Sequence, residues 1–401
     1  MSNSVLDNAD QLSFEQALLA DPVWDGIESG AHAFKIPEHV LLHAGPAFKS
    51  IDAISMPILN SACVAAVFEG LAKNFGQAES MIKAGEIQLK PAQDHSVVTP
   101  LAAVVSASMP LHRVIDENQS DIKIYAPING GGAPSLRLGL RSESVLNHIR
   151  WLNSFFADLL NEALTSSYEM LPLAAAGLAE GDDCHGRTPH ATKLLMAKVE
   201  QAIPGKQFDE KTRDFIGRSP SLFLNLWMAA SKCIMTRAAG VGGSSFVIAA
   251  GGNGVETGIQ ISALPGHWFS SSATAPVGRF DVDLPVSRGL PAIGDSAVVE
   301  GLGLGAMAIR LSPGQLDALG EFLPEDFDLR TQSLLMGQHP AFGSLNCRLG
   351  ISARSVVAYG RGPVIALGIL DNEGAVGRLG GGIYDMPATV FEAAIAELDG
   401  H

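Results

Sequence analysis

Cysteine is scarce in this 401-residue chain. The four residues, Cys63, Cys184, Cys233 and Cys347, lie far apart and form no CxxC pair. That excludes a zinc knuckle or a disulfide framework and points to a reducing, cytoplasmic setting. Positive charge is also short: 27 Lys and Arg face 42 Asp and Glu, a formal net charge of -15, and no basic cluster occurs. A nucleic-acid partner and an anionic membrane surface are therefore not expected. The longest apolar stretches, 97–111 and 221–231, are too short or too broken to span a bilayer. The N-terminus, MSNSVLDNADQL, is polar and acidic and reads as neither a signal nor a transit peptide. Three catalytic signatures are missing: a Walker lysine loop, a GxGxxG dinucleotide fingerprint and a GxSxG nucleophile elbow. The chain shows no nucleotide site of its own, and ordinary serine hydrolysis is not indicated.

What remains is apolar and glycine-rich. Hydrophobic residues make up 47%, charged residues only 17%, and 43 glycines are dispersed along the chain. Such a chain buries a large core, and its length suggests more than one domain. The pattern predicts a mixed α/β (α+β) protein: a loose arm over 1–20, a mixed domain over 21–141, a helical segment over 142–240 and a second mixed domain over 241–401. Helices are expected at 56–75, across SESVLNHIRWLNSFFADLLNEALTSS, after Thr188-Pro189 and Ser219-Pro220, and in the closing MPATVFEAAIAEL. Strands are expected in PLAAVVSASMPLHRVID, DIKIYAPI, SSFVIAAGGNGVETGIQISAL and VVAYGRGPVIALGIL.

Five stretches gather polar groups beside glycine. PAQDHSVVTP carries Asp94 and His95, where a loop histidine satisfied by backbone is the plain alternative. PINGGGAPSLRLG offers Asn129, Gly130, Gly131 and Arg137, as an anion-binding nest or as a tight hairpin. GDDCHGR places His185 and Arg187 in a helix–helix turn, where an acid of the pair Asp182–Asp183 can instead cap the next helix. GGNGVETGIQIS sets Asn253 at a turn that also reads as a β-hairpin. AIGDSAVVEGLGLGAMA puts Asp295 or Ser296 at a helix start and Glu300 in an apolar run. There a buried acid needs a reason, although a capped surface helix is the alternative. We expect these five to converge on one cleft. Around His185 no HxxxH or HxH spacing supports a metal site, and no cofactor is expected, with a divalent metal as the open alternative.

Several motifs together resemble the YlbE/YahG-like family, which includes AllG, a subunit of an oxamate carbamoyltransferase. HVLLHAGPA, VFEGLA, HSVVTPLAAVVSASMP, NGGGAPSLRLG, VLNHIRWLN, GDDCHGR, GNGVETGIQISALPGHWFSSSATAP, IGDSAVVEGLGLGAMA and GILDNEGAVGRLGGGIYDMPATVFEAAI carry the likeness, from about residue 38 to the C-terminus. The chain departs from it at Ala92-Gln93 (Cys-His in the family), Gly186 (Asn) and Gly252 (Arg).

The resemblance implies a mixed α/β protein with a helical insert. It also implies reversible carbamoyl transfer between oxamate and phosphate, in a multi-subunit oligomer with a companion that resembles acyl-CoA synthetases. Such chemistry requires donors for an oxyanion and phosphate, an arginine for a carboxylate, and a general base. Asn129, the glycines from Gly130, Asn253 and the helix start near Ser296 are the candidate anion-binding groups, with Arg137 and Arg187 supplying charge. His185 or His95 would supply the base, Glu300 would orient it, and Asp295 is a further candidate catalytic residue. An amidohydrolase of a related ureido compound, with water replacing phosphate, is one alternative. A non-catalytic scaffold subunit is another.

Overall fold

The computed structural model describes residues 8–33, 36–203, 207–345 and 347–400. Helices and several small sheets alternate along the chain, a mixed α+β architecture with no barrel.

Two four-stranded antiparallel sheets dominate. One runs in the order Gln119–Pro127, Pro110–Asp116, Pro22–Ser29, Tyr168–Glu169. The other runs Ile293–Gly294, Val247–Asn253, Glu256–Ile261, Phe269–Ser272. A three-stranded antiparallel sheet orders Val277–Phe280, Arg378–Asp385, Val364–Leu370. The central helix, Leu222–Arg237, lies against strands of both four-stranded sheets. It is buried along almost its whole length, which explains why most of its sequence is apolar. One buried cluster recruits residues from Phe14 to Ala394. A smaller one is built from residues 36–149, closed by Leu290, Ile293 and Leu370.

Several local expectations hold. Met56–Glu69 is a buried helix with Pro57 in its first turn, ended by Gly70 at φ 81°. Val247–Asn253 and Glu256–Ile261 form the expected hairpin. Others change. Of PLAAVVSASMPLHRVID only Pro110–Asp116 is a strand. Val105 and Leu42 exchange backbone hydrogen bonds as an isolated bridge, so this buried segment is satisfied without a ladder. The helix expected after Ser219-Pro220 begins only at Leu222, because the Ser219 hydroxyl donates back to the carbonyl of Phe215.

The N-terminal arm is not loose where it is described. Asn8–Leu18 is a helix that buries Asp10, Ser13, Phe14 and Ala17. The Asp10 carboxylate accepts from Ser244 Oγ (3.1 Å), Ser245 N (2.5 Å), Ser245 Oγ (2.9 Å) and Ser352 Oγ (2.7 Å). It thereby ties the helix to segments more than two hundred residues away. Asp10→Ala leaves these buried donors without an acceptor. We expect a loss of about 3 kcal/mol, read as a lower urea midpoint with unchanged slope. Residues 1–7 lie outside the described residues.

Candidate active site

The turn 181–187 connects the helix Met170–Ala179 to the helix Pro189–Gln201. Its two acids divide the work of holding it. Asp182 accepts from the amides of His190 (3.3 Å) and Ala191 (2.9 Å), so it caps the second helix, and Thr188 instead donates to the carbonyl of Pro220. Asp183 Oδ1 accepts from the amides of His185 and Arg187, both at 2.8 Å. Burial, opposed by those two amides and by the charge of His185, pushes its carboxyl up to about 6. Cys184 sits at φ 65° with its thiol toward the carbonyl of Ala174. Burial lifts that thiol well above its usual range.

That backbone delivers His185 to Glu300. The imidazole Nδ1 lies 2.7 Å from both carboxylate oxygens of Glu300. Glu300 Oε1 also accepts from Ala306 N (2.9 Å) and Ala366 N (3.1 Å). The acid in the apolar run is thus held by a histidine and two backbone amides. Burial pulls His185 down, but the charge of Glu300, its hydrogen bond and the charge of Asp183 outweigh that, and the net shift is upward. With Nδ1 bound to the carboxylate, Nε2 is the nitrogen left to exchange a proton.

His185 opens onto a cleft of about 630 Å³. Gly131, Gly132, Arg137, Gly186, Arg187 and Ser296 line it as well, which brings together parts of three expected stretches. The remaining candidates stand elsewhere. Asn129 accepts from the Ser135 hydroxyl, and its carbonyl accepts from Asn225; Gly130 packs against Phe215 and Leu222. Asn253 caps its own turn, accepting from the amides of Val255 and Glu256. His95 is half-buried on a short turn outside the lining. Asp295 is fully buried and accepts from Gly45 N, Gln93 Nε2, Thr99 N and Thr99 Oγ1. It caps no helix, because its carboxylate is consumed in joining these distant segments. The expectation that all five stretches line one cleft therefore does not hold for His95, Asn253 and Asp295.

Five arginines line the cleft, Arg137, Arg187, Arg218, Arg279 and Arg378, against one carboxylate, Asp281. Three of them are neutralised locally. Arg218 pairs with Asp214 (2.5 Å), Arg378 with Asp281 (2.7 Å), and Arg279 with Glu321. Arg137 and Arg187 have no carboxylate partner among the described residues. The Arg137 guanidinium donates to the carbonyl of Gly131 at 2.8 Å. Burial, reinforced by the nearby charge of Arg378, pulls it down to about 10. Arg187 is exposed, and it pairs with neither Asp182 nor Asp183. Sequence reasoning missed Arg218, Arg279 and Arg378. A Gly-Arg step in PVGRF and GAVGRLGGG was the only local sign of the last two.

Among the described residues no three His, Cys, Asp or Glu side chains are gathered to hold a metal ion, and no helix is long and apolar enough to cross a membrane.

Fold and site together define an α+β protein with an arginine-lined cleft and a buried histidine–carboxylate dyad at its wall. The chain belongs to the AllG family, described as oxamate carbamoyltransferase subunit AllG, whose model matches residues 87–296. It is 30% identical to the uncharacterized protein YahG of Escherichia coli K12, over 96% of this chain and 84% of that one. It is 29% identical to the oxamate carbamoyltransferase subunit AllG of the same organism, over 96% of this chain and 95% of that one. A crystal structure of a conserved protein of unknown function from Enterococcus faecalis V583 superposes with a TM-score of 0.91 at 25% identity, covering 98% of this chain and 97% of that one.

Proposed function

We propose that this chain supplies the reaction cleft of a carbamoyltransferase, moving a carbamoyl group between a small amide or ureido acid of the oxamate/oxalurate type and phosphate. The observation that carries the reading is the pairing of a cation-rich cleft with the His185–Glu300 dyad. In a protein of net charge -15, anionic reactants need such local cations to enter.

In one direction an oxygen of hydrogenphosphate adds to the carbamoyl carbon of oxalurate. The bond from that carbon to the oxamate nitrogen then breaks, and the electron pair leaves on nitrogen. An amide anion is a poor leaving group, so His185 Nε2 gives the nitrogen its proton and takes the one that hydrogenphosphate loses. The products are oxamate and carbamoyl phosphate, and the total charge is unchanged. Arg137 and Arg187 hold the two anions, and the backbone at Gly131 and Gly132 faces the phosphate. Glu300 keeps the imidazole protonated and oriented. The chain acts in this reading within an assembly, with companion subunits that include an acyl-CoA-synthetase-like protein.

Phosphorus NMR of the assembly given oxalurate and phosphate should show carbamoyl phosphate, with no turnover when phosphate is withheld. Release of ammonia or carbamate at full rate without phosphate would replace transfer by hydrolysis. An inert assembly would assign the chain a scaffold role.

A further inference from the structure

The cleft contains a neutral group that the reaction above does not use. Gln315 lies in the first turn of the helix Pro313–Leu319 and lines the cleft beside His185 and Arg187. Its carboxamide makes no hydrogen bond among the described residues, whereas its backbone amide is satisfied by Ser312. The helix and the histidine turn meet reciprocally, each presenting a glycine to the other's side chain. A methyl group on Gly186 would stand 2.3 Å from Gln315 Nε2, and one on Gly314 would stand 3.1 Å from Arg187 Cζ. The two missing side chains let a guanidinium and a carboxamide reach the cleft from facing backbones, each seated on the other's glycine.

Hydrogen-bonding capacity decides what such a pair fits. A guanidinium is all donor and suits a carboxylate. A carboxamide carries one acceptor and two donors, so it is complementary to another amide, with N–H to O=C bonds in both directions. Against a second carboxylate, the oxygen of Gln315 would face only acceptors. We propose that Arg187 and Gln315 form a reader for acids that carry a neutral carboxamide or ureido group beside the carboxylate, and that Gln315 is the residue that tells such an amide from a carboxylate. This rests on the anion-cleft reading above and adds the discriminating group.

The test titrates the full chain, in buffer without phosphate, with oxamate and with its near-isosteric dicarboxylate oxalate, following heat by calorimetry. Gln315→Met preserves length and removes both hydrogen-bonding functions. It should weaken oxamate by about tenfold and leave oxalate within about twofold. Arg187→Lys should weaken both acids alike, since the lost fork serves the carboxylate they share. Equal effects of Gln315→Met on both acids, or none on either, would overturn the assignment and leave the anion cleft standing. Failure of the unaltered chain to bind either acid would remove the cleft reading and this inference with it.

Discussion

Replacing either member of the buried dyad should stop turnover while leaving most of the protein folded. We expect His185→Gln and Glu300→Gln each to lower the phosphate-dependent rate by about 10²–10⁴-fold, the range for a lost general acid–base. The double variant should be no slower than the worse single, because the two side chains act as one unit. Stability should behave differently. Glu300 has no exposed surface, and its remaining partners are the amides of Ala306 and Ala366. His185→Gln leaves that carboxylate without its cation, at a cost of about 3 kcal/mol or more. The double variant should recover part of the loss.

The same variants fix the pH response. In the intact protein the His185 pKa is raised above its ordinary value. The dyad's stabilisation is therefore fully present below the unfolded histidine pKa and is lost as pH rises through the elevated folded value. Glu300→Gln removes the main charge that opposes burial and leaves only that of Asp183, so the His185 imidazole should titrate lower than in the intact protein. Imidazole NMR reads this without any substrate. An unchanged titration in Glu300→Gln would show that the 2.7 Å contact carries no charge coupling.

Gly305→Ala should be more damaging than its single methyl group suggests. Gly305 adopts φ +61°, and an added Cβ would lie 2.3 Å from Glu300 Oε1 and 2.9 Å from His185 Cβ. Its amide also donates to the carbonyl of Asp183 at 2.8 Å, joining the histidine turn to the segment after Glu300. The methyl group has no room to move into, because one neighbour is a fully buried carboxylate and the other is held by that same carboxylate. Left-handed backbone strain and overpacking each cost roughly 1–3 kcal/mol. We expect a lowered denaturation midpoint together with loss of the raised His185 titration. Unaltered stability and titration would mean that the segment shifts freely and that the dyad does not depend on it.

Much of the cleft was legible in the residues. A thiol, an imidazole, two acids and a guanidinium in one turn marked 182–187, and an acid in a run of Val, Leu and Gly marked Glu300. The direct contact between His185 and Glu300 was not legible, since 115 positions separate them. Asp295 misled for an instructive reason. An Asp before a short helix has the sequence signature of an N-cap, yet its carboxylate is spent on Gly45, Gln93 and Thr99, partners that local spacing does not reveal. Gln315 gave no signal, because its place depends on Gly186 and Gly314 packing against side chains from each other's segment.

By itself the sequence determined most of the local terms: which segments become helix or strand, through periodicity and turn residues, except in places such as the helix Ala353–Tyr359, where strand is expected; that the core is large, through apolar content; and which family the chain joins, through contiguous motifs. Only the tertiary structure decided which polar groups stand at the cleft and which are consumed in holding the fold. That distinction depends on the partner a buried group finds. A carboxylate costs several kcal/mol to bury wherever it is, and whether it meets backbone amides, as Asp295 does, or an imidazole at the wall of a cleft, as Glu300 does, is settled by segments more than a hundred residues apart.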